Sequence, residues 1–158
     1  FNSIANYWKE TYSQECKKTK KYEHSAQFKR MADLMAPGKS FYYIANFQSL
    51  EIEMISDSVC NFIEKNNIKD KDVDFQEILA LALPEEVEKI QRKEQVIRDF
   101  FVDYLPTNKV QDYKVLYTYA IKDSSGKRRI MLHQATTLSQ DKEGRFVHVF
   151  SIHTDISH

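Results

Sequence analysis

YKVLYTYAIKDSSGKRRIMLHQATTLSQDKEGRFVHVFSIHTD, residues 113–155, is the stretch that decides the fold. Tyr113, Val115, Tyr117, Tyr119 and Ile121 occupy every second position, which is the period of a half-buried strand. Asp123-Ser124-Ser125-Gly126 interrupts that alternation, and a strand pattern resumes from Arg129 to Leu138. A second interruption ending at Gly144 leads into Arg145–Asp155. Each break closes on a glycine able to take positive φ, so the stretch predicts three antiparallel strands in a meander.

Upstream the period changes to that of helices. Val87, Ile90, Ile97, Phe100, Phe101 and Tyr104 form one apolar stripe running down to Leu105, where Pro106 ends it. Pro84 opens this helix, because its missing amide would be unpaired there anyway, and Glu85, Glu86 and Glu88 suit the positive end of the dipole. Asp70–Asp74 reads as a loop, followed by a short helix carrying Phe75, Ile78, Leu79 and Leu81 and stopped by Pro84. Another short helix carries Val59, Phe62 and Ile63 and fades at Asn66-Asn67. Ser56-Asp57-Ser58 offers the oxygens expected to cap its first amides.

Before it, Phe41–Phe47 and Glu51–Ile55 read as two strands joined through Gln48-Ser49-Leu50. Phe1, Ile4, Trp8 and Tyr12, then Phe28, Met31, Leu34 and Met35, recur near helical spacing and predict two amphipathic helices ending before Pro37-Gly38. The basic cluster Cys16–Lys21 between them is expected to be solvated surface. The sum is an α+β arrangement: a five-stranded antiparallel sheet with helices on one face. A helical extension over residues 1–38 precedes the main unit over 39–158.

Bulk composition narrows the function classes. The chain has 158 residues, enough for one domain, and its 23 Lys and Arg balance 23 Asp and Glu. That balance lacks the basic surplus with which proteins displace counterions from nucleic acid, so direct nucleic-acid binding is not expected. Cys16 and Cys60 have no ligand or redox spacing, so neither a disulfide nor a metal site is expected. The longest apolar run, Ile78–Leu83, is far below the roughly 20 residues of a bilayer-spanning helix, so no membrane partner is expected. The chain opens on Phe1 without a leader pattern, and is expected to be a cytoplasmic piece of a longer protein. Its only glycines, Gly38, Gly126 and Gly144, build no phosphate loop or nucleophile turn, and no catalytic residues are expected.

Ile55-Ser56-Asp57-Ser58, the Lys122–Gly126 turn, the Asp141–Gly144 turn and the closing Asp155-Ile156-Ser157 resemble a PAS domain. Ala36-Pro37-Gly38 with Phe41-Tyr42-Tyr43, the Tyr113–Tyr119 strand, Leu132-His133-Gln134 and Ile152-His153-Thr154-Asp155 resemble PAS-containing LuxR-type transcription regulators of Bacteroidetes. The resemblance covers roughly residues 36–158. It departs at Glu64-Lys65, where many PAS domains have Gly-Tyr, and at Leu83, where the family commonly has His. The Asn-Cys-Arg-Phe flavin-adduct motif is absent. The resemblance implies a sensory domain that dimerises, binds a small ligand, or both, and controls a C-terminal helix-turn-helix DNA-binding domain.

His148 and His153 lie five apart, so one strand directs them to opposite faces. Alternation together with the resemblance places His133 and His153 inward, where PAS domains hold ligands. His153 corresponds to a position that touches the cofactor in flavin-binding members. The candidate pocket is His133, His153, Tyr43, Met54, Tyr117 and Phe100, with no cofactor assigned beyond an unknown small molecule. The alternative is a ligand-free dimerisation module whose pocket is filled by its own bulky side chains. The opposite face carries Ile130, Leu132, Phe146, Phe150 and Ile152, too apolar to be left in water, and is expected to meet the N-terminal helices or a second copy. Asp155, at the strand end, is the expected link to an output helix.

Overall fold

A computed structural model describes residues 2–12, 26–64 and 73–158. The elements run α1 (Asn2–Tyr12), α2 (Ala26–Met35), β1 (Ser40–Asn46), β2 (Glu51–Ile55), α3 (Phe75–Leu79), α4 (Val87–Arg98), β3 (Lys114–Lys122), β4 (Arg128–Gln140) and β5 (Phe146–Asp155). The strands form one antiparallel sheet in the order β2-β1-β5-β4-β3. The predicted meander is therefore β3-β4-β5, and the early strands join it through β1 and β5. The cluster Cys16–Lys21 and the segment Asn66-Asn67 lie outside the described residues.

α1, α3 and α4 pack on one face of this sheet, where Ile4, Trp8 and Tyr12 join Phe41, Tyr43 and Ile121 in the main core. Ile4, Trp8 and Tyr12 repeat every fourth residue, so a single helical face delivers all three. α2 goes to the other face, setting Ala32 against Tyr42, Ile44, Met54 and Ile152. The two N-terminal helices therefore cover opposite sides. The apolar stripe expected of α2 is not what it buries: Met31, Leu34 and Met35 are 55%, 80% and 66% exposed. Its small Ala32 makes the close approach instead, and the Tyr42 hydroxyl donates to Asp33.

Three local irregularities redirect side chains that strict alternation had placed elsewhere. Opposite Ile44 and Ala45, β2 supplies Met54 and Ile52, so Glu53 is an extra residue and a bulge. Ile52 and Ile55 both turn inward, while Met54 faces α2 and is no part of the candidate pocket. Ser139 pairs with His148 and Gln140 with Phe146, which leaves Val147 extra in β5. That step turns Phe146 off the expected packing face and onto the inward one, against Phe101 and Tyr12. Finally, α4 runs on into a π turn, Asp99–Tyr104, whose wider winding carries the buried stripe through Phe101 to Leu105. Phe100 is left on the flank, against Tyr104 and Tyr113, and Tyr104 is 78% exposed.

Smaller expectations also change. The helix after β2 is a 3-10 turn, Asp57–Asn61, and Ser56 does not cap it. Its hydroxyl accepts from the Tyr42 amide at 2.9 Å and pairs with Ser58 at 2.8 Å, tying β1 to the turn. Asp74, expected in a loop, instead begins α3: its carboxylate accepts from the Glu77 amide at 2.9 Å while Glu77 accepts from the Asp74 amide at 3.0 Å. Both meander turns do close on left-handed glycines, Gly126 at φ +83° and Gly144 at φ +80°.

The two glycines are not equivalent. A Cβ on Gly144 would lie 2.5 Å from the Thr107 Cβ, whereas one on Gly126 would meet nothing nearer than Lys122 Cε at 3.5 Å. Gly126→Ala is expected to cost roughly 1 kcal/mol from backbone strain alone, and Gly144→Ala roughly 2–3 kcal/mol because overlap adds to strain. Urea denaturation midpoints measure the difference, and equal losses would contradict the Thr107 contact.

Candidate functional site

The register of the sheet sets one rank of rings side by side on the inward face. Phe41 pairs with His153, His153 with His133, and His133 with Tyr117. Directly opposed residues are close enough for their side chains to touch. Phe41 lies parallel to His153 at 4.7 Å, His153 stacks on His133 at 4.4 Å, and Tyr117 meets His133 edge-on at 4.8 Å. Four of the expected pocket residues, Tyr43, Tyr117, His133 and His153, are thus brought together. Met54 and Phe100 are not, for the reasons given above.

A chain of hydroxyls and imidazoles threads this rank. The Tyr119 hydroxyl lies 2.6 Å from His153 Nδ1, and His153 Nε2 lies 3.3 Å from the Tyr43 hydroxyl. Tyr43 in turn hydrogen-bonds Ser151, whose Oγ is 3.4 Å from His133 Nε2. His133 Nδ1, in a residue only 7% exposed, has no hydrogen-bond partner among the described residues. A buried polar atom left unpaired costs about 1–3 kcal/mol, so such atoms are rare in native interiors.

Helix α4 adds a carboxyl group to this apolar side. Glu94, one turn after the buried Ile90, accepts from Trp8 Nε1 at 3.1 Å and from the Tyr117 hydroxyl at 2.9 Å. The sequence reading passed over Glu94, Trp8 and Ser151. For Glu94 the signal was position: it fills the gap between Ile90 and Ile97 on the stripe. Between α1, α4 and the sheet lies a cavity of about 60 Å³, lined by Trp8, Tyr12, Tyr43, Glu94, Phe101 and His133 among others. A smaller one of about 30 Å³ adjoins it beside Tyr119 and His153. At 10–15 Å³ per water, the larger space holds about four waters or a molecule of similar bulk.

Burial governs the charges here. It lowers the His133 pKa to about 4, and holds His153 well below the usual imidazole range, with neighbouring His133 adding to the effect. Both rings are neutral at pH 7. Burial also raises the Glu94 carboxyl, against the lowering effect of its bonds from Trp8 and Tyr117. Away from the cavity, Asp155 is tied into the end of the sheet. It accepts from the Ser157 amide at 2.9 Å and faces Arg129 at 3.5 Å. Burial pushes its pKa up, but those hydrogen bonds and charges prevail and hold it below the ordinary range. On the far face, Phe150 and Ile152 lie under α2, and Ile130 and Leu132 are half-buried.

No protein-family model matches the sequence, and no curated protein matches it. Solved structures do. A domain of a light and redox sensing histidine kinase, so named, from Haloarcula marismortui aligns over 82% of this chain and 99% of its own, with 14% identity and a TM-score of 0.54. The N-terminal domain of a diguanylate cyclase with PAS/PAC sensor from Marinobacter aquaeolei aligns over 75% of this chain and 96% of its own, at 14% identity and TM-score 0.52. The PAS domain of a protein from Colwellia psychrerythraea covers 82% of this chain and 97% of its own, again at 14% and 0.52. At this identity the likeness is one of fold, and the fold of this chain is that of PAS domains.

The buried groups give stability two opposing pH slopes. His133 and His153 have depressed pKa values, so their contribution is complete above about pH 6.5 and is lost as pH falls toward 4. For His133, the drop from 6.5 to about 4 corresponds to roughly 3 kcal/mol. Glu94 is raised from 4.5, so its contribution is complete below that value and is lost as pH rises through the folded pKa. Denaturation midpoints between pH 4 and 8 are expected to show a flatter acid limb in His133→Gln and a flatter upper limb in Glu94→Gln. An unchanged acid limb in His133→Gln would contradict the burial of a neutral ring.

Proposed function

We propose that this PAS fold serves as the sensory module of a cytoplasmic bacterial transcription regulator of LuxR type. In this reading a small molecule in the cavity beside His133 and Glu94 changes the packing of the sheet against α1 and α4. The change passes through β5 and Asp155 to a C-terminal helix-turn-helix domain. No catalysis is assigned to it. The observation that carries the proposal is the unpaired His133 Nδ1 beside a cavity in the middle of the inward face. Such an atom lowers stability unless a partner arrives, and a ligand shifts a conformational equilibrium only through such differential contacts. The sequence resemblance in the sheet and at Asp155-Ile156-Ser157 supports the regulator context.

A second reading, dimerisation without ligand, is favoured by one surface. With α2 occupying the outer face of the sheet, the apolar residues left bare are its own Met31, Leu34 and Met35, a stripe suited to a second copy of the helix.

Thermal unfolding across a library of small metabolites separates the two readings. A cavity ligand at a hundred times its Kd adds about 2.7 kcal/mol, which for a chain of this size raises Tm by roughly 5–10 °C. The rise should be absent in His133→Leu. No shift with any compound, together with a dimer dissociated by the triple change Met31→Glu, Leu34→Glu and Met35→Glu, would establish the second reading instead.

A further inference from the structure

The direction of the hydroxyl–imidazole chain determines what the cavity can accept. Tyr119 has His153 Nδ1 as its only hydrogen-bond partner among the described residues. If the Tyr119 O–H donates to His153 Nδ1, then His153 Nε2–H donates to Tyr43 and Tyr43 donates to Ser151. Ser151 then donates to His133 Nε2. Every neutral ring carries one N–H, so the remaining proton of His133 sits on Nδ1. This arrangement leaves one buried group unpaired, the His133 Nδ1–H. Reversing the whole chain leaves two: a Tyr119 hydroxyl with no acceptor and a bare His133 Nδ1. Reversing only the last link strands the Ser151 hydroxyl and the same nitrogen. Since each unpaired buried group costs free energy, the first direction prevails.

From this we infer that the cavity takes a small, uncharged molecule with one hydrogen-bond acceptor, of the carbonyl or nitrile class, held by the His133 Nδ1–H. The inference rests on the proposed role of the cavity as the ligand site. Size follows from volume. A cavity of 150 Å³ holds benzene, so one of about 60 Å³ has room for roughly three non-hydrogen atoms. Charge follows from the lining, which contains no Lys or Arg in either cavity. An anion there would lose its hydration with no cation to replace it. The ligand's body meets apolar surface from Phe101, Tyr12 and Trp8, and its one acceptor meets the one unpaired donor.

The test uses the wild-type protein with ¹⁵N-labelled histidine and three probes: xenon, acetonitrile and formate. Acetonitrile and formate each have three non-hydrogen atoms and an acceptor, but only formate is charged. The expected result is an Nδ1–H tautomer for His133, a saturable shift of its Nδ1 with acetonitrile, and at least tenfold weaker binding of formate. An Nε2–H tautomer, or formate binding as well as acetonitrile, would overturn the inference. So would an Nδ1 that acetonitrile leaves unmoved while xenon enters, since the site would then hold only water. In these three cases xenon entry keeps the cavity as a ligand site. If neither xenon nor acetonitrile perturbs the residues lining the cavity, the proposed function itself fails, and the inference fails with it.

Discussion

The antiparallel ladder between β1 and β5 is the constraint from which the interior follows. It joins Ser40 to Thr154 and runs in step to Asn46 opposite His148, closing the chain over more than a hundred residues. The entropy of that closure is offset by the surface it buries. Phe41, Tyr43 and Ala45 then face inward with Val149, Ser151 and His153. A slip of one residue would send all of them to the α2 face and put Tyr42, Ile44 and Phe150 in the cavity. The stacked rank Phe41–His153–His133 exists only in this register.

On that base, the polar groups of the interior are arranged by the helices above them. α1 carries Trp8 into the core, where its indole N–H meets Glu94 of α4, and Glu94 also receives the Tyr117 hydroxyl. A carboxyl group in such a place is costly unless hydrogen-bonded, so it ties α1, α4 and β3 to one another. Removing the Trp8 side chain would leave one Glu94 oxygen unpaired as well as opening a cavity. The same contact links the N-terminal helix to the space beside His133, so occupation of the cavity and the seating of α1 share an energy.

Much of this was legible in the sequence because binary pattern and turn residues agree over long stretches. The meander from Tyr113 to Asp155 alternates cleanly and ends its turns on Gly126 and Gly144, so its strands and the inward direction of His133 follow directly. The misplacements have local physical causes. An extra residue at Glu53 or Val147 reverses the face of its neighbours without altering composition, which misplaced Met54 and Phe146. A π turn shifts the phase of a helix by part of a turn, which misplaced Phe100. Glu94 and Ser151 were passed over for a different reason: a polar residue on an apolar stripe reads as a gap until its partners, distant in sequence, are known.

The most direct test of this account is the pairing of β1 with β5, observed as close Hα–Hα contacts by nuclear Overhauser spectroscopy. The account predicts them on alternate pairs in the register that sets Tyr43 opposite Ser151 and Phe41 opposite His153. Contacts one residue out of step, or none between these strands, would contradict it, because the rank of imidazoles and the cavity beside it would not exist.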